Sequence, residues 1–297
     1  MRSRKYHKPE VGSLNNFHGF SLNAFSLSTW VTKFTELALR FRLKRSRTLR
    51  RFFVDKIRTS GGLCSIKGSE ANHIFRVLRM RQGDHFILMD AKGSHFPARI
   101  ESASHREVIV TLERPLPKPP PSPVKITLCQ SLIKSRQMDY LIQKASELGV
   151  DYIAPFFSKH TVVSVKRDRL ANKMRHWHEI ARNSAKQSCR GTPAEIDTIR
   201  PLEKLVVKLK STNSLKVILW EEEKSRDLKG LLRTSSPISK FVGMVGPEGG
   251  FSQQEIEVVR AAGFFPVSMG NRILRAETAA ITLVGIVQYE CGDLGLT

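Results

Sequence analysis

Cysteine is scarce in this chain, and the four present are never close together. Cys64, Cys129, Cys189 and Cys291 show no paired spacing in 297 residues, which argues against a zinc site and against a dense disulfide frame, and leaves them as reduced thiols. Long apolar runs are missing as well. Stretches such as AAITLVGIV fall well short of the roughly 20 residues that span a bilayer, so no membrane partner is expected. Acid is the third scarcity: 27 Asp and Glu stand against 49 Lys and Arg, a net charge of +22. That excess goes beyond what solubility requires and predicts a polyanionic partner, nucleic acid first. It is steepest at the start, where residues 1–51 carry 12 Lys and Arg against only Glu10 and Glu36, but the other 246 residues still carry 37 against 25. The two common phosphate signatures, G-x-x-x-x-G-K-[ST] and G-x-G-x-x-G, are both absent. His176 and His178 flank Trp177, yet no third ligand is near in sequence and no metal is expected.

What is present divides into four stretches. Residues 1–50 are rich in Arg, Ser and Phe and nearly free of acid, the composition of an organellar transit peptide, with a disordered basic leader that binds RNA as the alternative. Within it, Trp30, Phe34, Leu37 and Phe41 fall on one face of a possible amphipathic helix. The Ser and Phe content favours a chloroplast over a mitochondrion. Residues 51–114 alternate in short runs, HFILMD, HFPARIES and EVIVTLE, separated by RQGD and AKGS turns, which predicts a small β-barrel. SEANHIFRVLRM lies between them, with Ser69 as its expected cap, Ile74, Val77 and Leu78 facing inward and Arg76, Arg79 and Arg81 projecting. The proline-dense PLPKPPPSP, 115–123, is the expected linker. From 124 to 297 strand-like and helix-like segments alternate, predicting an α/β fold with a mostly parallel sheet and helices on both faces. Ligands of such sheets bind at the carboxyl ends of strands.

Two glycine turns occupy such ends. FVGMV runs into GPEGG, followed by Ser252 and Glu255 in an S-x-x-E capping pattern. The glycines allow positive φ and close approach to bare backbone, and Glu248 suits a cationic or hydroxyl-bearing ligand better than a polyphosphate. FPVSM then leads to Gly270 and into NRILRAETAAITLVGIVQYE, read as a long buried helix with an arginine-rich start. Loops at one sheet edge would cradle an adenine and ribose, leaving Arg275, Glu277 and Thr278 to face a substrate.

These paired turns, with NHIFRVLRM, KSRQMDYLIQKASELGV and HWHEIARNSAKQS, resemble the RsmE-type 16S ribosomal RNA uridine-N3 methyltransferases of the SPOUT superfamily. The likeness covers everything beyond the leader. It implies a PUA-like RNA-binding β-barrel, a SPOUT domain with a trefoil knot, a homodimer, and S-adenosylmethionine as cofactor. It implies small-subunit ribosomal RNA, free or in the assembled subunit, as partner. It places the cofactor on Leu219, Gly246, Pro247, Glu248, Gly249, Gly250, Met269, Gly270, Ile273, Leu274, Thr278 and Ala279. Arg275 and Glu277 become the catalytic candidates, since the imide anion of uridine needs a cation beside it and its proton needs an acceptor. Arg76, Arg79, Arg81, Lys134 and Arg136 become the RNA track. The chain departs from the family at Ala276, where threonine is usual, and at Lys186 and Cys189, where an acid and a glycine are usual. The hydroxyl missing at 276 is worth about 1 kcal/mol. Two alternatives follow: a catalytically inactive RNA-binding assembly factor, and a methyltransferase for another RNA position.

Overall fold

A computed structural model describes residues 49–295 apart from 55, 56, 58, 61, 91, 118, 119, 165 and 166. The expected transit peptide lies outside the described residues.

The first sheet holds six strands: β1 (Arg51–Val54), β2 (Thr59–Ser60), β3 (Leu63–Lys67), β4 (His85–Asp90), β5 (His95–Ala103) and β6 (Glu107–Leu112). Their order is β1-β4-β5-β6-β3-β2, with β1 parallel to β4 and the other pairs antiparallel. Alternation sends Phe52, Ile66, Phe86, Leu88, Ile100 and Val110 into one cluster, so the sheet curls around a shared core. Among the described residues the end strands β1 and β2 do not pair with each other, so the expected small barrel is a curled sheet whose ends are unjoined. A short helix, α1 (Gly68–Asn72), and a π-turn over His73–Val77 plug it with Ala71 and Ile74. Two expectations fail here. Ser69 is not the cap, because the helix already begins at Gly68 with Lys67 before it. Val77 is 65% exposed rather than inward, because the wider i→i+5 turn breaks the 3.6-residue spacing and Arg79, at φ 53°, reverses the chain.

The proline-rich segment is tied down at both ends. Leu116 donates its N–H to His95 at 2.7 Å and packs with Phe53, Ile87 and Met89, while the Ser122 hydroxyl donates to Gln288 Oε1 at 3.1 Å.

The second sheet is parallel throughout. β7 (Lys125–Ser131), β8 (Tyr152–Phe157), β10 (Arg200–Pro201), β11 (Leu215–Leu219), β12 (Lys240–Val245) and β13 (Phe265–Val267) lie in the order β10-β8-β7-β12-β11-β13, with β9 (Glu195–Ile196) also on β8. Successive residues of the central strands enter opposite cores: Phe241 and Val245 one cluster, Val242 and Met244 the other. Burial on both faces is why these strands read as unbroken apolar runs. The first core takes helices α2 (Ser135–Glu147), α3 (Arg167–Ser188), α5 (Leu228–Thr234) and α7 (Ala276–Cys291); the second takes α4 (Leu202–Lys210) and α6 (Gln253–Ala261). Each fully buried Leu, Ile or Phe contributes about 1.5–3 kcal/mol, against about 0–1 for an exposed ion pair, so these two cores hold the domain together.

Helix α3 stops at Ser188, and Cys189 follows in the left-handed region at φ 61°. That conformation costs a residue with a Cβ roughly 1–2 kcal/mol and suits glycine. Cys189→Gly is therefore expected to stabilise the protein by about 1 kcal/mol once the extra chain entropy of glycine is offset. A rise in the denaturant midpoint at unchanged slope would register it.

Candidate active site

The carboxyl ends of four parallel strands, β7, β11, β12 and β13, open into one cavity of about 940 Å³. The size suits a small-molecule ligand. After β12, Gly250 donates its N–H to the Pro247 carbonyl at 3.0 Å and closes the GPEGG turn, with Gly250 at φ 68°. Gln130, fully buried on β7, donates from Nε2 to the Gly246 carbonyl at 3.3 Å and pins the start of that turn. Ser252 and Glu255 then form the expected capping box on α6. After β13, Ser268 bonds to Arg226 and Leu228 at 3.0 and 3.1 Å, and Gly270 sits at φ 95°. The two turns meet at the cavity as expected: Leu219, Gly246, Pro247, Glu248, Gly250, Met269, Gly270, Ile273, Leu274 and Ala279 line it, together with Arg275 and Glu277.

Gly249 is not on the wall; its carbonyl turns the other way and accepts from His160 Nδ1 at 3.0 Å. Thr278 is not on the wall either, because successive helical residues turn by about 100°, and a turn that presents Ala276, Glu277 and Ala279 to the cavity points the residue between them outward. The helix begins at Ala276, with Arg275 as its cap residue, so Asn271–Arg275 is a loop and not an arginine-rich first turn. Among the described residues, no backbone hydrogen bond uses the N–H groups of Met269, Gly270, Ile273 or Leu274, which leaves this stretch of backbone donors for a ligand.

A third wall escaped the sequence reading. Trp220, Glu221, Glu223 and Lys224, just past β11, line the cavity, and so does Phe251. The signal was the acidic WEEEK run at a strand end. Glu223 is held below the usual carboxylate range by the Ser225 hydroxyl and N–H, at 2.5 and 2.8 Å, and by Arg260. Carboxylates from the loops after β11 and β12 and from the first turn of α7 thus line a space floored by Val245, Val267 and Leu274.

Of the RNA candidates, Lys134 borders the cavity and its N–H reaches Glu248 Oε1 at 3.5 Å. Arg136 is exposed in the first turn of α2 and does not line the cavity. Arg76 and Arg79 are exposed on the first sheet. Arg81 is exposed too, but its guanidinium folds back onto the Phe75 ring and the Met80 carbonyl. His176 and the Trp177 indole both bond to Asp139, at 2.9 and 3.1 Å, while His178 Nδ1 bonds the Met174 carbonyl one turn back at 2.7 Å, so the two histidines of the H-x-H motif have separate partners. No metal-binding group occurs among the described residues.

Glu255 fastens the GPEGG turn to its neighbours. Burial pushes its carboxyl up, but the N–H groups of Lys159 and Ser252, each at 2.8 Å, outweigh that and hold it below the ordinary value. A depressed folded-state pKa contributes stability that is complete above about pH 4.3 and is lost as pH falls through the folded value. The excess thermal stability of the wild type over Glu255→Gln is therefore expected at pH 7 and should vanish in acid; a difference independent of pH would contradict it.

Residues 120–288 match the family model of an RNA methyltransferase domain, and residues 66–113 that of an RNA methyltransferase PUA domain. The ribosomal RNA small subunit methyltransferase E of Buchnera aphidicola subsp. Schizaphis graminum is 32% identical over 233 residues, covering 77% of this chain and 92% of its own. The chain belongs to this RNA methyltransferase family. The corresponding protein of Bacillus subtilis is 26% identical over 229 residues, covering 76% of this chain and 90% of its own. Among solved structures, a methyltransferase from Legionella pneumophila in complex with S-adenosylmethionine superposes with a TM-score of 0.75 at 31% identity, covering 83% of this chain and 99% of that one. Ribosomal RNA small subunit methyltransferase E from Neisseria gonorrhoeae, bound to S-adenosylmethionine, gives 0.74 at 30% identity, covering 82% and 99%. The fold is thus a SPOUT-type methyltransferase domain preceded by a PUA-like domain.

Proposed function

We propose that this chain is an S-adenosylmethionine-dependent methyltransferase of small-subunit ribosomal RNA, acting on N3 of a uridine inside an organelle. The observation that carries it is the meeting of the two glycine turns in one cavity beside Arg275. The residues fit the cofactor. Leu219, Val245, Val267 and Met269 offer apolar walls for an adenine, the 269–274 backbone offers hydrogen-bond donors, and Glu221, Glu248 and Glu277 offer anions for a positively charged ligand.

S-adenosylmethionine supplies a methyl group already activated on a sulfonium, so the protein mainly aligns donor and acceptor and keeps water out. Arg275, fixed where the loop enters α7, holds a uracil carbonyl and stabilises the imide anion as the N3 proton leaves. Glu277, in the first turn of that helix, is the assigned proton acceptor, with Glu248 across the cavity as the second candidate. Cationic side chains at Lys134, Arg136, Arg76 and Arg79 attract the RNA backbone.

Support for an organelle is the acid-poor composition of residues 1–50, with a chloroplast favoured. A second copy is supported by the outward face of α7, where Tyr289 is 68% exposed, and by Tyr140 on the neighbouring helix at 51%. A trefoil knot is supported by the path of the chain: β13 pairs outside β11, yet the next helix packs back on β7 and β12.

Mass mapping of small-subunit ribosomal RNA from cells lacking the protein is the direct test. Loss of one N3-methyluridine is expected, and an unchanged methylation map would end the assignment.

A further inference from the structure

The two sheets are joined by a latch that uses residues outside the cavity. Lys186, near the end of α3, pairs with Glu70 on α1, and the two side chains are only 17% and 21% exposed. One turn earlier on α3, the Arg182 guanidinium lies 4.5 Å from the centre of the Phe53 ring on β1. Beyond the helix the β4–β5 turn meets the chain backbone to backbone: a Cβ on Gly93 would stand 2.9 Å from the Gly191 carbonyl oxygen. Three contacts of different chemistry therefore join the two sheets, which lie within one compact unit. Glu70 Oε2 is buried without a hydrogen-bond partner. Loss of Lys186 would leave a largely desolvated carboxylate with nothing to offset it, a situation that destabilises docking more than the intact pair stabilises it.

The same helix is tied, through its middle, to an element that borders the cavity. Trp177 and His176 lock α3 to Asp139 on α2, and Lys134 and Gln137 at the start of α2 line the cavity. On the far side, α1 runs directly into the turn that carries Arg76 and Arg79. Helices α1, α3 and α2, joined by the Lys186–Glu70 pair and the bonds to Asp139, thus link the basic segment of the first sheet to the wall of the site.

We infer that Lys186 and Glu70, backed by Arg182 on Phe53, are positioning residues that set the distance between the RNA-holding surface of the first domain and the methyl-transfer cavity. This rests on the proposed RNA methylation. Two surfaces that grip one RNA substrate reinforce each other only when their separation matches it, so a loosened latch weakens capture of the subunit. In this light Lys186 is one half of an interdomain pair rather than a mark of lost activity.

The test uses the full chain with unmethylated small subunits. Lys186→Glu and Glu70→Lys are each expected to raise KM for the subunit by about tenfold or more while kcat at saturation stays within about threefold, because the chemistry itself is untouched. The Kd for S-adenosylmethionine should not change, and deuterium exchange should accelerate in β1 and α1 but not in the GPEGG turn. The double reversal, which restores opposite charges, should bring KM back to within about threefold of wild type. An unchanged KM in both single variants overturns the inference, as does a double reversal no better than the worse single. Should the reversals not fold, Lys186→Arg is expected to keep KM and Lys186→Gln to raise it, and equal values would overturn the inference equally. Wild-type protein that methylates no subunit would remove the functional reading, while the exchange pattern would still decide whether the latch holds the domains.

Discussion

Replacing Arg275 by alanine is expected to lower the single-turnover rate of methyl transfer about 100-fold, equivalent to roughly 2.7 kcal/mol of transition-state stabilisation. The side chain is exposed at the cavity wall and caps α7 without a side-chain hydrogen bond, so its removal leaves the helix and the apolar walls intact. Calorimetry should accordingly find S-adenosylmethionine binding within a few-fold of wild type. The split between kcat and KM distinguishes the roles: an arginine that only grips phosphate would raise KM and spare kcat. Arg275→Lys should recover part of the rate, since it keeps the charge but loses the planar fork. An unchanged rate for Arg275→Ala would remove Arg275 from the reaction.

Gly243→Val is expected to have the largest effect on the fold. Gly243 sits in the middle of β12, where glycine normally weakens a strand, and the reason is close approach by α7. A Cβ at this position would stand 2.5 Å from Leu283 Cδ2 and 3.0 Å from the Phe241 ring. Leu283 is 1% exposed and has nowhere to go. Overpacking here should cost about 2 kcal/mol and lower the thermal midpoint by roughly 6 °C. Helix α7 would be pushed off β12, and its first turn forms part of the cavity wall, so cofactor affinity should fall with stability. Gly243→Ala should show the same trend at smaller size, and a valine variant as stable as wild type would mean that α7 does not depend on this contact.

Legibility in the sequence followed the range of the interactions. The strand FVGMV was readable because a strand buried on both faces must be apolar at nearly every position, and Lys240–Val245 is buried at all but its first residue. The α6 cap was readable because Ser252 and Glu255 satisfy each other's backbone within one turn. Local pattern misled where tertiary packing overrode it. Ser69 has the chemistry of a cap, yet α1 starts before it, and the π-turn at His73–Val77 placed Ile74 in the core and Val77 in solvent. The start of α7 slipped in the same way, because Asn271–Arg275 was needed as loop to close the cavity.

The site divides along the same line. Both glycine turns could be located in the chain, since only glycine takes the positive φ seen at Gly250 and Gly270 without penalty. The acidic wall at Glu221 and Glu223 could not, because its membership depends on β11 lying between β12 and β13.

The sequence by itself determined the layered α/β plan, the charge that calls for a nucleic-acid partner, and the two loops that form most of the cavity. Each depends on residue type or on spacing within a few positions. Only the tertiary structure decided that Gly249 and Thr278 face away, that four loops rather than two enclose the cavity, and that Lys186 meets Glu70 across 116 residues of chain. Such choices depend on strand order and helix packing, which bring together groups whose separation along the chain carries no local signal.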